Sequence, residues 1–251
     1  MIKTPKRSIS ASEYELIEKL SQSGMTSFSA DEAAKLVGWN KSKAYKICSR
    51  LKRKGLVKSL NSRYALTSIY SNYDLYDLAS NLVWPSYISF WTALSYYKYT
   101  EQLPTTIFIA TTRQKKGLKL ENNTIKFIKI AESRFFGYRK TDDTIIAEKE
   151  KALIDSLLFP RYAGGIVEVS KCLGNAWTEV NQETIIEYAF KMKNKTLVKR
   201  LGYLIENNHL AIDVKLLDKL EKGIGRGYSK LDPQLSKKGE YDNKWKLIVN
   251  I

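Results

Sequence analysis

Four basic residues, Lys43, Lys46, Arg50 and Arg53, recur at spacings of three, four and three, while Ala44, Ile47, Cys48 and Leu51 repeat with the same period on the other side. Only an α-helix gives each set its own face. Asn40 stands where an N-cap is wanted, and Gly55 where a residue of positive φ ends a helix. The helix is therefore expected over about Lys41 to Lys54, with Cys48 as a small buried apolar residue and the basic face outward.

This helix lies in an unusual stretch. From Ala33 to Tyr73 there are ten Lys or Arg and no Asp or Glu, where average usage would place roughly four acids. A solvated helix face normally mixes both signs, so the block asks for an anionic partner. The net charge of +16 and a pI near 9.6 point the same way, toward DNA, RNA or an anionic membrane. Membrane is disfavoured. No apolar run approaches the roughly 18 residues that span a bilayer, and Met1 to Ser10 carries no hydrophobic signal segment. The expected location is cytoplasmic.

Signals on either side complete a module. Ser12 and Glu15 have capping-box spacing, with Tyr14, Ile17 and Leu20 as an apolar stripe. Ser29 and Glu32 repeat the box before Ala33, Leu36 and Val37, and Gly38-Trp39-Asn40 breaks the chain. After Gly55, Leu56 to Leu60 and Arg63 to Thr67 read as two strands around Asn61-Ser62. Helix, helix, short turn, basic helix, basic hairpin is the order of a winged helix-turn-helix. In that arrangement Ser42 and Tyr45, near the start of the third helix, would meet base edges. Lys41, Lys43, Lys46, Arg50, Arg53 and, on the hairpin, Arg63 would complete the contact with duplex DNA. The expected fold class is α+β, with this winged helix over 1–70 and a larger mixed α/β domain, helical toward its C-terminus, over 71–251.

The second region opens with a polar bridge, Ser68 to Leu82, whose Tyr70, Tyr73 and Tyr76 suit packing between domains. A helix is expected over Ser86 to Tyr97, then β-rich runs at Thr106 to Thr111, Thr124 to Ile130, Phe135 to Tyr138 and Thr144 to Ala147. Glu148-Lys149-Glu150-Lys151 starts a helix that Pro160 stops. Leu197, Val198, Leu201, Leu204 and Ile205 form a clear apolar face, and Val214, Leu217 and Leu220 a weaker one. Gly223 to Gly227 reads as a mobile linker, and Trp245 to Val249 as a strand.

Residues for catalysis are scarce. His209 is the only histidine and sits in a polar, helix-end context; Cys48 and Cys172 are the only cysteines. No cluster has metal-ligand spacing, so neither a metal nor another cofactor is expected. Asp142 and Asp143 with Glu148 to Lys151 flank a strand, as nuclease carboxylates do, but read better as turn and helix-start residues. The Asp213 to Lys215 and Asp242 to Lys244 triplets are at chance frequency. Lys191, Lys193, Lys195, Lys199 and Arg200 form a second basic cluster, expected as a solvated face with room for extra phosphate contacts.

Three segments carry a family resemblance. Pro85-Ser86-Tyr87-Ile88-Ser89-Phe90-Trp91-Thr92-Ala93-Leu94-Ser95-Tyr96-Tyr97 is followed by Thr100-Glu101-Gln102-Leu103-Pro104-Thr105-Thr106-Ile107-Phe108-Ile109-Ala110-Thr111-Thr112, and then by Ile145-Ile146-Ala147-Glu148-Lys149-Glu150-Lys151-Ala152-Leu153-Ile154-Asp155. Together they resemble the AbiEi antitoxin family, the last segment approximating its A-x-x-E-x-A-L-x-D block. With the N-terminal module the similarity runs from about Ser12 to Leu173. The resemblance implies a two-domain antitoxin and transcriptional repressor; the scarcity of catalytic residues, taken on its own, leads to the expectation of no enzymatic activity. Its winged helix would bind operator repeats to restrain its own operon, and its second domain would counteract a nucleotidyltransferase toxin; the chain itself is expected as a monomer or weak dimer. Two other readings stand beside it: a regulator of similar build without a toxin partner, and a nuclease or RNA-binding protein.

Overall fold

The computed structural model describes residues 9–60, 62–67, 75–120, 123–142 and 144–251. The protein is a mixed α+β chain that folds as two compact units, Met1–Val83 and Trp84–Ile251. The first unit thus runs past residue 70. It includes α4 (Leu75–Ser80), whose following residue Asn81 accepts a hydrogen bond at its carbonyl from Ser27 Oγ at 3.4 Å. Asn61, Tyr70, Tyr73 and Asp143 lie outside the described residues; Tyr76 is half-buried on α4.

In the N-terminal unit α1 spans Ala11–Gln22 and α2 spans Ala30–Val37. The capping box of α1 is Ser10 with Glu13, two residues ahead of the expected Ser12 and Glu15. The segment carries S-x-x-E in two frames, and burial decides between them. Leu16, Ile17 and Leu20 face inward with Glu13, which leaves Tyr14 60% exposed and outside the expected stripe. The Ser29–Glu32 box of α2 forms as expected. Gly38 closes α2 at φ +77, a conformation that would strain any residue with a Cβ.

Helix α3 (Lys41–Arg53) begins at Asn40, whose side chain accepts from the Lys43 N–H at 2.8 Å, and Gly55 follows it at φ +73. Strands β1 (Val57–Leu60) and β2 (Arg63–Leu66) pair antiparallel, with Val57 opposite Leu66. Phe28 adds a short third rung by exchanging both backbone hydrogen bonds with Tyr64, at 2.8 and 2.7 Å. Leu16, Leu20, Phe28, Ala33, Ile47, Cys48, Leu51, Val57 and Leu66 form one buried cluster. Burying each large member stabilises by about 1.5–3 kcal/mol, so this unit has its own core.

The C-terminal unit is built on a six-stranded mixed sheet of order β5-β6-β4-β3-β8-β7. Its strands are β3 (Ser86–Ile88), β4 (Thr106–Thr111), β5 (Leu118–Leu120), β6 (Asn123–Lys129), β7 (Tyr138–Thr141) and β8 (Thr144–Ala147). Ser86–Ile88, expected as the start of a helix, is instead a central strand between β4 and β8; the helix that follows, α5, is only Phe90–Tyr96. Over so short an apolar run, periodicity does not separate a buried strand from a helix. The expected strand at Phe135 to Tyr138 begins only at Tyr138. A 3-10 turn at Glu132–Arg134 and Gly137, at φ +66, hold the preceding residues out of the sheet.

Helices α6 (Lys149–Leu158), α7 (Ile166–Ala176), α8 (Gln182–Lys191), α9 (Lys195–Asn207) and α10 (Val214–Gly223) follow. The expected apolar face of α9 is buried, whereas on α10 only Leu220 is. The 223–227 stretch is packed rather than a linker. A Cβ on Gly223 would lie 2.2 Å from the Phe190 ring, and the Gly227 carbonyl accepts a hydrogen bond from Lys199 Nζ. A small sheet ends the chain, ordered β10-β11-β9 from β9 (Ser229–Lys230), β10 (Glu240–Asp242) and β11 (Leu247–Val249). Trp245 beside it is 1% exposed and sits against Gly202 of α9, where a Cβ would come within 2.0 Å of its ring. Among the described residues no helix is long and apolar enough to cross a membrane.

Candidate nucleic-acid interface

Helix α3 is held by the burial of Ala44, Ile47, Cys48 and Leu51, all at most 4% exposed. That fixes its rotation, and with it the identity of the outer face. Ser42, Lys43, Tyr45, Lys46, Arg50, Lys52 and Arg53 are all exposed, Tyr45 by 55%. Lys43 Nζ lies 4.4 Å from the ring centroid of half-buried Trp39, which places its charge beside the turn between α2 and α3.

The acids near this face are already matched. Asp31 pairs with Lys41 at 3.1 Å; both side chains are well exposed, so the pair contributes little to stability. Glu13 Oε2 takes Lys54 Nζ at 2.5 Å, and Glu32 takes the guanidinium of Arg63 at 2.8 Å. Burial pushes the Glu13 carboxyl up, but hydrogen bonds from Lys54 and Ser10 outweigh it and hold the group below the usual glutamate value. Glu32 is held low in the same way, burial being offset by the Ser29 N–H and Arg63. Lys43, Lys46, Arg50 and Lys52 have no carboxylate partner among the described residues. Their charge faces water.

Of the eight candidate contact residues, seven therefore share the helix from Lys41 to Arg53, and five of those, Ser42, Lys43, Tyr45, Lys46 and Arg50, lie on its exposed face without an acid partner among the described residues. Arg63 is the exception. Its Nε donates to Ser27 Oγ at 3.0 Å, Nη2 to the Ser27 carbonyl at 2.8 Å, and both Nη atoms to Glu32. A guanidinium so engaged ties β2 to α2 and has little left for a phosphate. Lys54 and Arg63 as clamps were not foreseen, because each pairs with an acid more than 30 residues away in sequence.

A second polar centre, also unforeseen, lies in the C-terminal unit. Lys151 and Asp155, one turn apart on α6, form an ion pair at 0% and 1% exposure. Tyr87 and Ser89 hydroxyls donate to Asp155 Oδ2 at 3.0 and 2.8 Å, and Lys151 Nζ donates to Tyr87 at 2.8 Å. Burial drives the Lys151 ammonium below its usual value, with Asp155 opposing, and raises the Tyr87 phenol well above its own. Closed to water on every side, this network joins α6 to β3.

Among the described residues, the carboxylates singled out as nuclease-like serve as turn, cap or hydrogen-bonding groups. Asp142 occupies the β7–β8 turn at φ +54, Glu148 accepts from Tyr188 at 2.5 Å, and Glu150 accepts the Asn181 N–H at 2.8 Å. Asp213 caps α10, and Asp242 accepts the Trp245 N–H at 2.6 Å. His209 is exposed just past the end of α9. Among the described residues no group of three or more His, Cys, Asp or Glu could hold a metal ion. The second basic cluster is not one solvated face: Lys199 and Arg200 are 2% and 5% exposed.

No family model matches the chain, and no curated protein matches it. Among solved structures, the crystal structure of the Rv2827c protein from Mycobacterium tuberculosis aligns over 98% of this chain and 94% of that one, with a TM-score of 0.65 at 12% identity. The likeness is one of fold.

Proposed function

We propose that this protein binds duplex DNA sequence-specifically and represses transcription, using its N-terminal unit as a winged helix-turn-helix. The observation that carries the reading is the outer face of α3. There Lys43, Lys46 and Arg50 stand without acid partners among the described residues, while the neighbouring acids are matched by Lys41, Lys54 and Arg63. A major groove about 12 Å wide admits such a helix. Ser42 and Tyr45, in its N-terminal half, reach base edges; the lysines and arginines bind flanking phosphates. The β1–β2 hairpin is the wing, with exposed Lys58 on its first strand.

The repressor is the antitoxin of a toxin–antitoxin pair and controls its own operon. Support for this second step is the resemblance of Pro85 to Thr112 and of Ile145 to Asp155 to AbiEi antitoxins. The corresponding partner is a nucleotidyltransferase toxin, and the protein acts in the cytoplasm as a monomer or weak dimer on operator repeats. Selection of bound sequences from a random duplex library tests DNA recognition. The expected result is one enriched motif that recurs upstream of the protein's own gene; an unenriched library contradicts sequence-specific binding. Co-expression with the neighbouring nucleotidyltransferase tests the antitoxin role, with restored growth expected.

A further inference from the structure

A cavity of about 640 Å³ opens in the C-terminal unit, where the end of α6 meets the start of α9. Three arginines distant in sequence, Arg134, Arg161 and Arg200, line it. Arg200 is 5% exposed; its Nη1 donates to the Leu157 carbonyl and its Nη2 to the Lys230 carbonyl, each at 3.1 Å. Its Nε is buried with no partner among the described residues. Among the described residues Arg134 donates only from Nε, to the Met192 carbonyl at 2.9 Å, and exposed Arg161 lies over the Tyr162 ring.

None of the three has a carboxylate within ion-pair distance among the described residues. Asp232 is near enough to act on Arg200, but its oxygens accept the Gln234 N–H at 2.8 Å and the Ile166 N–H at 3.4 Å. Burial accordingly pushes the Arg200 guanidinium down to about 10. A buried cation with one unmet donor and no acid of its own is costly unless an anion joins it.

The rest of the wall has matching chemistry. Asn194 and Thr196 bring the start of α9 to the cavity, and that helix has no acid in its first turn. Asn194 caps the Leu197 N–H, and the helix dipole with the first-turn N–H groups ahead of it favours an anion there. Leu158, Phe159 and Pro160 supply an apolar side. The volume lies within the range of small-molecule sites.

We propose that this cavity binds a small phosphorylated molecule of the nucleotide class. Its phosphate is held by Arg134, Arg161 and the start of α9 beside the charge of Arg200, and its apolar part rests on Leu158, Phe159 and Pro160. Calorimetric titration of the full-length protein with AMP, ATP, inorganic pyrophosphate and adenosine tests this. AMP or ATP should bind, and adenosine should bind at least about tenfold more weakly. Arg161→Ala, at an exposed position that leaves the fold intact, and Arg134→Gln should each weaken nucleotide binding by about tenfold. The proposal is overturned if no nucleotide binds at millimolar concentration, or if both variants bind as the parent does. Pyrophosphate binding as tightly as ATP would overturn the nucleotide class. So would a nucleotide-blind cavity whose Arg161→Ala variant loses affinity for duplex DNA, since that assigns the arginines to a nucleic-acid backbone.

Discussion

Lys54 Nζ lies 2.5 Å from Glu13 Oε2, joining the residue that ends α3 to the capping box that begins α1. The Glu13 side chain is fully buried, so its charge depends on this contact and on the Ser10 N–H, 2.7 Å away. Lys54→Met should therefore destabilise the N-terminal unit by about 1–3 kcal/mol, because it strands a buried carboxylate. Lys46→Met, on the open face, should change stability by less than about 0.5 kcal/mol. Chemical denaturation of the two variants checks the contrast.

Acid should act on the same unit. Glu13 and Glu32 are both held below the ordinary glutamate value of 4.5, so the unfolded chain binds their protons more tightly. Their contribution is complete above that value and is lost as pH falls through the lower folded values. Denaturation midpoints measured from pH 6 down to pH 2 should show this loss below pH 4.5. Glu13→Gln should flatten that part of the curve.

The Lys151–Asp155 pair makes a sharper stability prediction. Lys151→Met leaves Asp155 buried with only two hydroxyl donors and should cost about 3–5 kcal/mol. Replacing both residues with apolar ones of similar size should cost less than the single change. A double-mutant cycle on thermal unfolding measures the difference.

One cysteine lies in each unit, and both are buried. Burial pushes the Cys48 thiol up to about 11 and the Cys172 thiol up to about 12, so neither forms thiolate at neutral pH. Thiol reagents should label each only when its unit unfolds. Labelling along a urea series should then report the two units separately; rapid labelling in native buffer would contradict the burial.

Much of the N-terminal unit was legible because its signals are local. Asn40, Gly38, Gly55 and the Ser29–Glu32 box act within four residues, and the period of Ala44, Ile47, Cys48 and Leu51 names the buried face directly. Long-range pairing was not legible. Arg63 looks like one more cation of the basic block until the fold places Glu32 and Ser27 beside it. Lys199 and Arg200 likewise look like surface charge until α9 turns them inward onto the carbonyls of Gly227, Leu157 and Lys230. Strand β3 was missed for a related reason. Ser86–Ile88 becomes a strand because β4 and β8 flank it, and neither neighbour is local in sequence.

The outer face of α3 is tested most directly by fluorescence anisotropy of a labelled operator duplex across a salt series, comparing the parent with Lys43→Glu/Lys46→Glu/Arg50→Glu. These side chains are exposed, so the variant should keep its fold. The parent is expected to show a log–log salt slope of about −4 to −7, and the variant at least about a hundredfold lower affinity with a slope smaller by about three. Equal affinity and equal slope in the two proteins would contradict the assignment of α3 as the DNA-binding helix.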